Sequence, residues 1–171
     1  YYSVDVADSK AIASTLKKVR KQWGPITGIM HGAGVLADKL IADKTTEEFD
    51  RVFDTKIKGL RALLDATKKD PITHMVFFSS VAARAGNRGQ CGYAMANEVL
   101  NKVAAKEAET RGDQCVVKSF NWGPWAGGMV TPELKRQFEA RGIPLIPIDE
   151  GADRLVAELL SQDFTNLEIT I

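Results

Sequence analysis

Several residue patterns that mark particular protein classes are missing from this chain of 171 residues. It has only two cysteines and two histidines, and Cys91 and Cys115 lie far apart, so the ligand spacing of a zinc site is absent. We therefore expect no metal and a reducing, cytoplasmic setting. No apolar run approaches the roughly 18 to 20 residues that cross a bilayer, and the first residues lack a signal-peptide pattern, so no membrane partner is expected.

An excess of charge of one sign is also missing. Lysine and arginine total 23 and aspartate and glutamate total 22, and no window carries the basic stripe that binding to a phosphate backbone requires. Nucleic acid is therefore not an expected partner. Hydrophobic residues make up 44% of the chain, which suits a single domain over residues 1–171 with its own core.

Segments with strand and helix patterns alternate along the chain. Apolar runs predict strands over Tyr1 to Val6, Ile26 to His31, Met75 to Ser80 and Val116 to Phe120, with a last strand near Ile169. Helical spacing predicts helices over Ser9 to Trp23, after the Thr45-x-x-Glu48 capping box, from Tyr93 onward and near Leu155. This alternation predicts an α/β fold, a doubly wound parallel sheet with helices on both faces.

Three motifs directly follow predicted strands: His31-Gly32-Ala33-Gly34, Ser79-Ser80 and Asn121-Trp122-Gly123-Pro124. In open parallel sheets, ligands bind beyond the carboxyl ends of the strands. We therefore expect all three motifs to lie on one rim, which would be the binding site.

Ser80 precedes Tyr93 by thirteen residues, and Asn97 follows one helical turn later. Residues at i and i+4 project from the same side of a helix, so Tyr93 and Asn97 face one direction. A phenol, an amide and the Ser80 hydroxyl would then meet at one polar substrate atom, such as a carbonyl oxygen. A strand, a loop and a helix with ordinary polar caps would carry the same residues, and this motif alone leaves both interpretations open.

Six motifs form one ordered set along the chain: Asp5-Val6, His31-Gly32-Ala33-Gly34, Lys56-x-x-Gly59, Ser80, Tyr93-x-x-x-Asn97 and Trp122-Gly123-Pro124-Trp125. In this order and spacing they strongly resemble the ketoreductase domains of polyketide and polyunsaturated fatty acid synthases, in the short-chain dehydrogenase/reductase superfamily. The resemblance covers nearly the whole chain and implies a Rossmann-like fold. Simple members of the superfamily carry lysine four residues after the tyrosine, whereas this chain has Asn97 there and Lys56 at the synthase-type position.

The resembled family begins with a strand and a glycine-rich turn whose amides hold the pyrophosphate of the cofactor. No such segment precedes Tyr1, and Gly32-Ala33-Gly34 does not replace it, because the resemblance places that turn beside the adenine ribose and the nicotinamide. We therefore expect residues 1–171 to be most of a ketoreductase catalytic domain, namely its C-terminal portion. The choice of NADPH over NADH follows from family habit alone.

The resemblance also implies the catalytic roles. Tyr93 would protonate the ketone oxygen as hydride arrives from the nicotinamide, and Lys56 would lower the phenol pKa from its ordinary value of about 10 and bond the nicotinamide ribose. Taken alone, Lys56 has the pattern of a solvated helix lysine. Ser80 would donate a hydrogen bond to the substrate carbonyl and Ser79 would bond backbone groups, although these two roles can be exchanged. Asn97 would hold the lysine or a relay water, the alternative being an exposed helix amide.

On the cofactor side, the resemblance assigns Asp5 and the amide of Val6 to the adenine, with a helix cap as the alternative role of Asp5. Gly32-Ala33-Gly34 would let the backbone approach the cofactor closely. His31 receives no acid–base role, because a packed histidine is the commoner case.

Two further segments would border the substrate. Pro124 and the flanking aromatic residues would wall the nicotinamide pocket, although Trp122 and Trp125 suit a core equally well. Residues 129–141, from Met129 onward, would form a mobile lid hinged at Gly127-Gly128. Its cations would steer an acidic acyl carrier protein, although a solvated basic face is the commoner role of such a cluster; they are Lys135, Arg136 and Arg141.

The product configuration also follows from the resemblance. Leu36-Ala37-Asp38 is similar to the Leu-Asp-Asp signature of ketoreductases that form the (3R) alcohol, with Ala37 departing from it. The opposite stereochemical class carries tryptophan eight residues before the tyrosine, where this chain has Ala85. The residues expected to control substrate and stereochemistry are Leu36, Asp38, Trp125 and Met129.

Together these assignments predict NADPH-dependent reduction of a β-ketoacyl thioester on an acyl carrier protein, next to other domains of a multienzyme synthase. One alternative is a non-catalytic structural module, against which the retained Ser80, Tyr93, Lys56 and Asn97 argue. A second alternative is a free-standing reductase of small ketones, against which the exchanged lysine and asparagine argue.

Overall fold

The computed structural model describes all 171 residues and contains a four-stranded sheet in which neighbours in space are also consecutive in sequence. Every pairing in the sheet is parallel. The predicted α/β class and parallel sheet are therefore confirmed. The strands are β1 (Gly28–His31), β2 (His74–Ser80), β3 (Val116–Trp122) and β4 (Glu168–Thr170).

Helices connect the strands, and their starts have clear local causes. Asp8 caps the first helix by accepting from two backbone amides. The predicted capping box is confirmed, since Thr45 accepts from the Glu48 amide and the Glu48 carboxylate accepts from the Thr45 amide. The helices are α1 (Ser9–Trp23), α2 (Thr46–Thr67), α3 (Ala82–Ala85), α4 (Cys91–Arg111), a 3-10 turn (Gly112–Gln114), α5 (Pro132–Ala140) and α6 (Ile148–Leu160).

Helices cover both faces of the sheet, as the alternating pattern predicted. Successive strand residues point to opposite faces. On one face Phe77 packs in a buried cluster with Leu60 of α2 and Leu100 of α4. On the other face Phe120 packs in a second cluster with Leu155 of α6.

The predicted strand over Tyr1 to Val6 is wrong. These residues are irregular as far as the turn in which the Asp8 amide donates to the Asp5 carbonyl. A strand needs a neighbour to take its backbone hydrogen bonds, and β1 pairs only with β2. Val6 instead packs against α2 at Gly59, where an added Cβ would lie 2.9 Å from Val6 Cγ2.

The carboxyl ends of β1, β2 and β3 meet at one edge of the sheet. In the parallel register Ser80 lies beside Trp122, and His31 lies beside Phe77 of the neighbouring strand. The motifs that follow these strands therefore share the rim that the sequence predicted. We call this edge the carboxyl rim.

Three further features concern membrane-spanning helices, metal ligands and cysteines. None of the helices combines the length and apolar character that crossing a bilayer requires. The chain has no group of three or more histidine, cysteine, aspartate or glutamate side chains placed to hold a metal ion. Cys91 and Cys115 are both free thiols.

Candidate active site

A hydrogen bond joins the end of β2 to α4, and a second one lies within α4 at the same place. Ser79 Oγ donates to the Asn97 carbonyl oxygen at 3.0 Å, and Asn97 Nδ2 donates to the Tyr93 carbonyl oxygen at 2.8 Å. Ser79 thus satisfies a backbone group, as expected. Ser80 Oγ accepts from the Ala82 amide at 3.2 Å, which leaves its own proton for another acceptor.

Lys56 reaches this place from α2. It is 4% exposed, its Nζ donates to the Phe78 carbonyl oxygen at 2.8 Å, and Nζ lies 5.8 Å from the centre of the Tyr93 ring. Burial lowers the pKa of Lys56 to about 8. The alternative of a solvated helix lysine is therefore wrong for Lys56, although it describes Lys58, which is exposed and pairs with Asp54.

Gly34 provides the room that the Lys56 side chain occupies. A Cβ at residue 34 would lie 3.1 Å from Lys56 Cε and 3.5 Å from Nζ. The absence of a side chain therefore lets the backbone after β1 approach the lysine closely. The resemblance assigns Gly34 and Lys56 to the cofactor separately, and the structure places them in contact.

The pKa of the Tyr93 phenol is raised, whereas a lowered pKa was expected. Burial is the largest cause that raises the pKa of Tyr93, and the charge of Asp38 acts in the same direction. The side chains of Ser80 and Asn97 act in the opposite direction without cancelling the rise. Lys56 is not among the causes that shift the pKa of Tyr93, and in this arrangement its ammonium donates to the Phe78 carbonyl oxygen.

Asn97 is fully buried, so the alternative of an exposed helix amide is wrong. Its Nδ2 is bonded, but its Oδ1 is buried without a hydrogen-bond partner. Leaving a buried acceptor unpaired costs roughly 1 to 3 kcal/mol. An unpaired acceptor beside Tyr93 is suited to a donor such as an ammonium group or a water molecule.

His31 has a structural role. Its Nε2 lies 2.8 Å from the Lys56 carbonyl oxygen. Burial lowers the pKa of His31 to about 4, so the ring is neutral at physiological pH. The bond fixes the turn of α2 that carries Lys56.

The residues assigned to the adenine lie at the start of the chain. Asp5 is exposed, and its carboxylate accepts from the Ala7 amide at 2.9 Å in a tight turn. Asp8, not Asp5, caps α1, so the helix-cap alternative for Asp5 is wrong. Val6 packs on Gly59, which lies one turn further along α2 than Lys56.

The loop with Leu36 and Asp38 is bound to the loop that precedes Tyr93. Asp38 accepts from Gln90 Nε2 at 2.7 Å, and the Lys39 amide donates to the Gly89 carbonyl oxygen at 3.0 Å. Sequence reasoning missed Gln90. The only sequence feature that pointed to Gln90 was its amide side chain three residues before Tyr93, because its partner Asp38 is distant in the sequence.

The two tryptophans favour the core interpretation. Trp122 is 4% exposed and its ring stacks on Phe120 with centroids 4.9 Å apart. Trp125 lies edge-on to Trp122 at 4.7 Å and covers Gly151, where an added Cβ would lie 2.5 Å from its ring. Pro124 is fixed beside them, since its carbonyl accepts from the Ile146 amide.

The predicted lid contains α5, which Thr131 caps and Pro132 begins. Met129, just before it, is 43% exposed. Two of its three cations lie beside glutamates of the same helix, Lys135 near Glu139 and Arg136 near Glu133. Both pairs are exposed, so water screens them and they contribute little to stability.

Comparison with known proteins points to one family. The model of the family described as KR domain matches residues 1–127. The chain is 44% identical over 161 residues to a polyunsaturated fatty acid synthase polypeptide of Thraustochytrium sp., an alignment that covers 94% of this chain and 6% of that protein. It is 33% identical over 161 residues to the polyketide synthase PksL of Bacillus subtilis, covering 91% of this chain and 4% of that protein.

A solved structure agrees with these relatives. The crystal structure of a ketoreductase domain from the bacillaene assembly line is similar with a TM-score of 0.88 at 31% identity, covering 99% of this chain and 42% of that chain. The chain therefore spans less than half of each of these proteins.

Proposed function

Because this chain belongs to the ketoreductase (KR) domain family, we propose that it reduces a β-ketoacyl thioester on an acyl carrier protein to the (3R)-hydroxyacyl thioester with NADPH. It would do so as one domain of a multienzyme synthase, and we favour a synthase of the polyunsaturated fatty acid type. The observation that carries the proposal is the proximity of Ser80, Tyr93, Asn97 and the buried Lys56 at the carboxyl rim.

The rim fits a nicotinamide cofactor in two respects. Gly34 leaves the backbone open beside Lys56, and Asn97 Oδ1 is a buried acceptor without a partner. When bound, the cofactor supplies the hydride. The residues that would hold it are Asp5 and Val6 at the adenine, Gly32, Ala33 and Gly34 at the ribose and nicotinamide, and Lys56, Tyr93 and Pro124.

Tyr93 would give its phenolic proton to the ketone oxygen, and Ser80 would donate a hydrogen bond to the same oxygen. The raised pKa of Tyr93 keeps the phenol protonated at neutral pH. The proton is therefore present until negative charge develops on the substrate oxygen, which then becomes the stronger base.

Lys56 would stabilise the phenolate that this step leaves behind. Its Nζ lies 5.8 Å from the Tyr93 ring centre and is held by one carbonyl oxygen, so a short movement brings the ammonium to the phenol. Asn97 Oδ1 would accept from the moved ammonium or from a water that returns the proton. Opposite charge within about 4 to 6 Å favours the charged form of a phenol.

The (3R) configuration is supported by Leu36 and Asp38, together with Ala85 where the other stereochemical class carries tryptophan. Gln90 anchors Asp38 beside the helix that carries Tyr93, so the loop would direct the acyl chain. Trp125 and Met129 would border the same substrate.

We further propose that residues 1–171 form a single domain, most of a ketoreductase catalytic domain. The glycine-rich turn after β1 does not open a helix, since α2 begins only at Thr46. The pyrophosphate would therefore be held by a glycine-rich segment outside these residues. Met30, on β1, is 59% exposed, as expected of a sheet face that further chain covers.

The test is a titration of NADPH into residues 1–171 and into a version extended through the preceding segment. Both proteins are then assayed with a β-ketoacyl thioester, carrier-bound and as the small N-acetylcysteamine thioester, and the product is analysed by chiral chromatography. We expect the extended protein to bind NADPH and to form the (3R) product. An extended protein that binds no cofactor would identify a structural module, and one that reduces only simple ketones would identify a free-standing reductase.

A further inference from the structure

The side of α4 that faces the sheet carries two fully buried asparagines one helical turn apart, Asn97 and Asn101. The reaction described above uses Asn97 and gives Asn101 no part. Burying an amide costs free energy unless its donors and its acceptor are all bonded. The contacts of Asn101 therefore need their own explanation.

Every polar atom of the Asn101 side chain is bonded, and two of the bonds cross to β3. Its Oδ1 accepts from Ser119 Oγ at 2.7 Å. Its Nδ2 donates to Asn121 Oδ1 at 3.0 Å and to Glu98 Oε2 at 3.0 Å. Ser119 and Asn121 are themselves buried. Asn101 thus joins α4 to the strand that leads into the Trp122–Trp125 segment.

Glu98 extends the connection to the segment that follows Ser80. It pairs with Arg84 of α3 at 3.1 Å, and Arg84 also pairs with Glu168 of β4. Burial alone would raise the pKa of Glu98, but its bonds to Asn101 and Lys102 and the charge of Arg84 hold that pKa below its ordinary range. Glu98 therefore stays a carboxylate and keeps both contacts.

Hydrogen bonds define the position of α4 more sharply than its apolar contacts do. Leu100 and Ala104 pack on Phe77 and its neighbours, and such contacts tolerate small shifts and repacking. The bonds of Asn101 are directional, and they are lost when the helix slides or turns. Since a displacement of about 1 Å at reacting groups can cost roughly a hundredfold in rate, the position of α4 matters for Tyr93.

We propose that Asn101 is a positioning residue for ketone reduction. Through Ser119, Asn121 and Glu98 it holds α4 where Tyr93 and Asn97 meet Ser80. This inference rests on the proposed function, because the step it serves is the reduction of the ketone.

The first variant is Asn101→Leu in the extended, cofactor-binding protein. It keeps a similar side-chain volume, removes all the bonds and leaves Ser119 and Asn121 unpaired. We expect kcat for the small β-ketoacyl thioester to fall about 10- to 100-fold, while the Kd for NADPH changes less than about threefold, because Asn101 touches no proposed cofactor contact. The melting temperature also falls, since buried polar groups lose their partners.

A second variant separates positioning from stability. Asn101→Leu combined with Ser119→Ala and Asn121→Leu replaces the network between α4 and β3 by apolar groups, which is often neutral for stability, while Glu98 keeps its pairs with Arg84 and Lys102. We expect the melting temperature to recover while kcat stays low. Recovery of kcat along with stability would mean that the network serves stability alone, and it would overturn the proposal.

Thr67→Val is the matched control. Thr67 is buried and its hydroxyl donates to the Leu63 carbonyl within α2, so its loss lowers stability without touching the position of α4. We expect an unchanged kcat. Full activity of Asn101→Leu overturns the positioning role alone, whereas failure of the parent protein to reduce the thioester overturns the proposed function and this inference with it.

Discussion

The two faces of the sheet are packed with different chemistry. Towards α2 and α4, the carboxyl-terminal halves of the strands present buried polar side chains, among them His31, Ser79 and Asn121. Towards α6 they present mainly an apolar cluster of Phe120, Trp122 and their neighbours, stacked ring against ring. Lys118 is a buried exception on this side, and its ammonium donates to the Asp163 and Asn166 carbonyl oxygens. The same strands serve both faces, because their residues alternate.

This difference supports the proposed location of the chemistry on the face towards α2 and α4. Polar groups in a core are costly, and here they are concentrated on the face where α2 and α4 bring Lys56, Tyr93 and Asn97 to the strand ends. The α6 face carries the aromatic packing that stabilises the sheet. Substitutions on the first face should therefore change rates, and substitutions on the second should change stability.

The largest effect should come from Tyr93→Phe on the polar face. It removes the proposed proton donor and leaves the ring in place. We expect single-turnover reduction of a β-ketoacyl thioester to slow by about a thousandfold, with NADPH affinity retained in a fluorescence titration. A variant that keeps most of its rate would show that another group donates the proton.

Lys56→Met should alter the pH dependence of stability. Burial lowers the pKa of Lys56 to about 8 in the folded state, whereas an unfolded lysine titrates near 10.4. Between these values the unfolded chain binds more protons, so the stability of the parent rises with pH from about 8 to about 10, by up to about 3 kcal/mol. Urea unfolding across this range should lack that rise in Lys56→Met, and Lys58→Met should retain it.

On the aromatic face, Phe120→Leu should lower the free energy of unfolding by about 2 kcal/mol, because a fully buried ring loses its stacking on Trp122. We expect kcat to stay within about twofold of the parent. Chemical denaturation and steady-state assays measure the two quantities. A large loss of rate with little loss of stability would contradict the expectation that the α6 face affects stability rather than rate.

The smallest effect on stability should come from Gln90→Ala, which releases Asp38 at the edge of the polar face. We expect melting to be nearly unchanged, since the contact is exposed, and a smaller proportion of the (3R) alcohol on chiral chromatography. Asn87→Ala, which removes the other side-chain partner of Gln90 but leaves the contact with Asp38, is the matched control. Equal product ratios in the parent, Gln90→Ala and Asn87→Ala would show that this loop does not control stereochemistry.

Local and periodic features were predictable from the sequence. The capping box at Thr45 and Glu48 and the strand end at Ser80 depend on a few neighbouring residues. The shared rim followed from one general rule about parallel strands. Lys56, in contrast, was found only through the family resemblance, because its spacing within α2 does not distinguish it from Lys58.

The remaining features depend on partners that are distant in sequence. The strand expected over Tyr1 to Val6 failed because β propensity does not supply a neighbouring strand. The bonds of Asn101 to Ser119 and Asn121 join residues that are 18 and 20 positions apart. No periodic pattern in the sequence predicts such contacts. The raised pKa of Tyr93 likewise depends on burial that only the assembled fold defines.

The absence of a side chain at Gly59 lets residues from the two ends of the site pack against the same turn of α2. Val6 lies 2.9 Å and His31 3.4 Å from where a methyl group would sit, and His31 in turn holds the Lys56 carbonyl. A side chain at residue 59 would have to displace Val6, whereas His31 would be in ordinary van der Waals contact with it. The same bare turn of α2 thus borders the proposed adenine contact and the histidine that holds the backbone of the proposed proton-transfer lysine, so substitution of Gly59 would disturb the cofactor side of the site first.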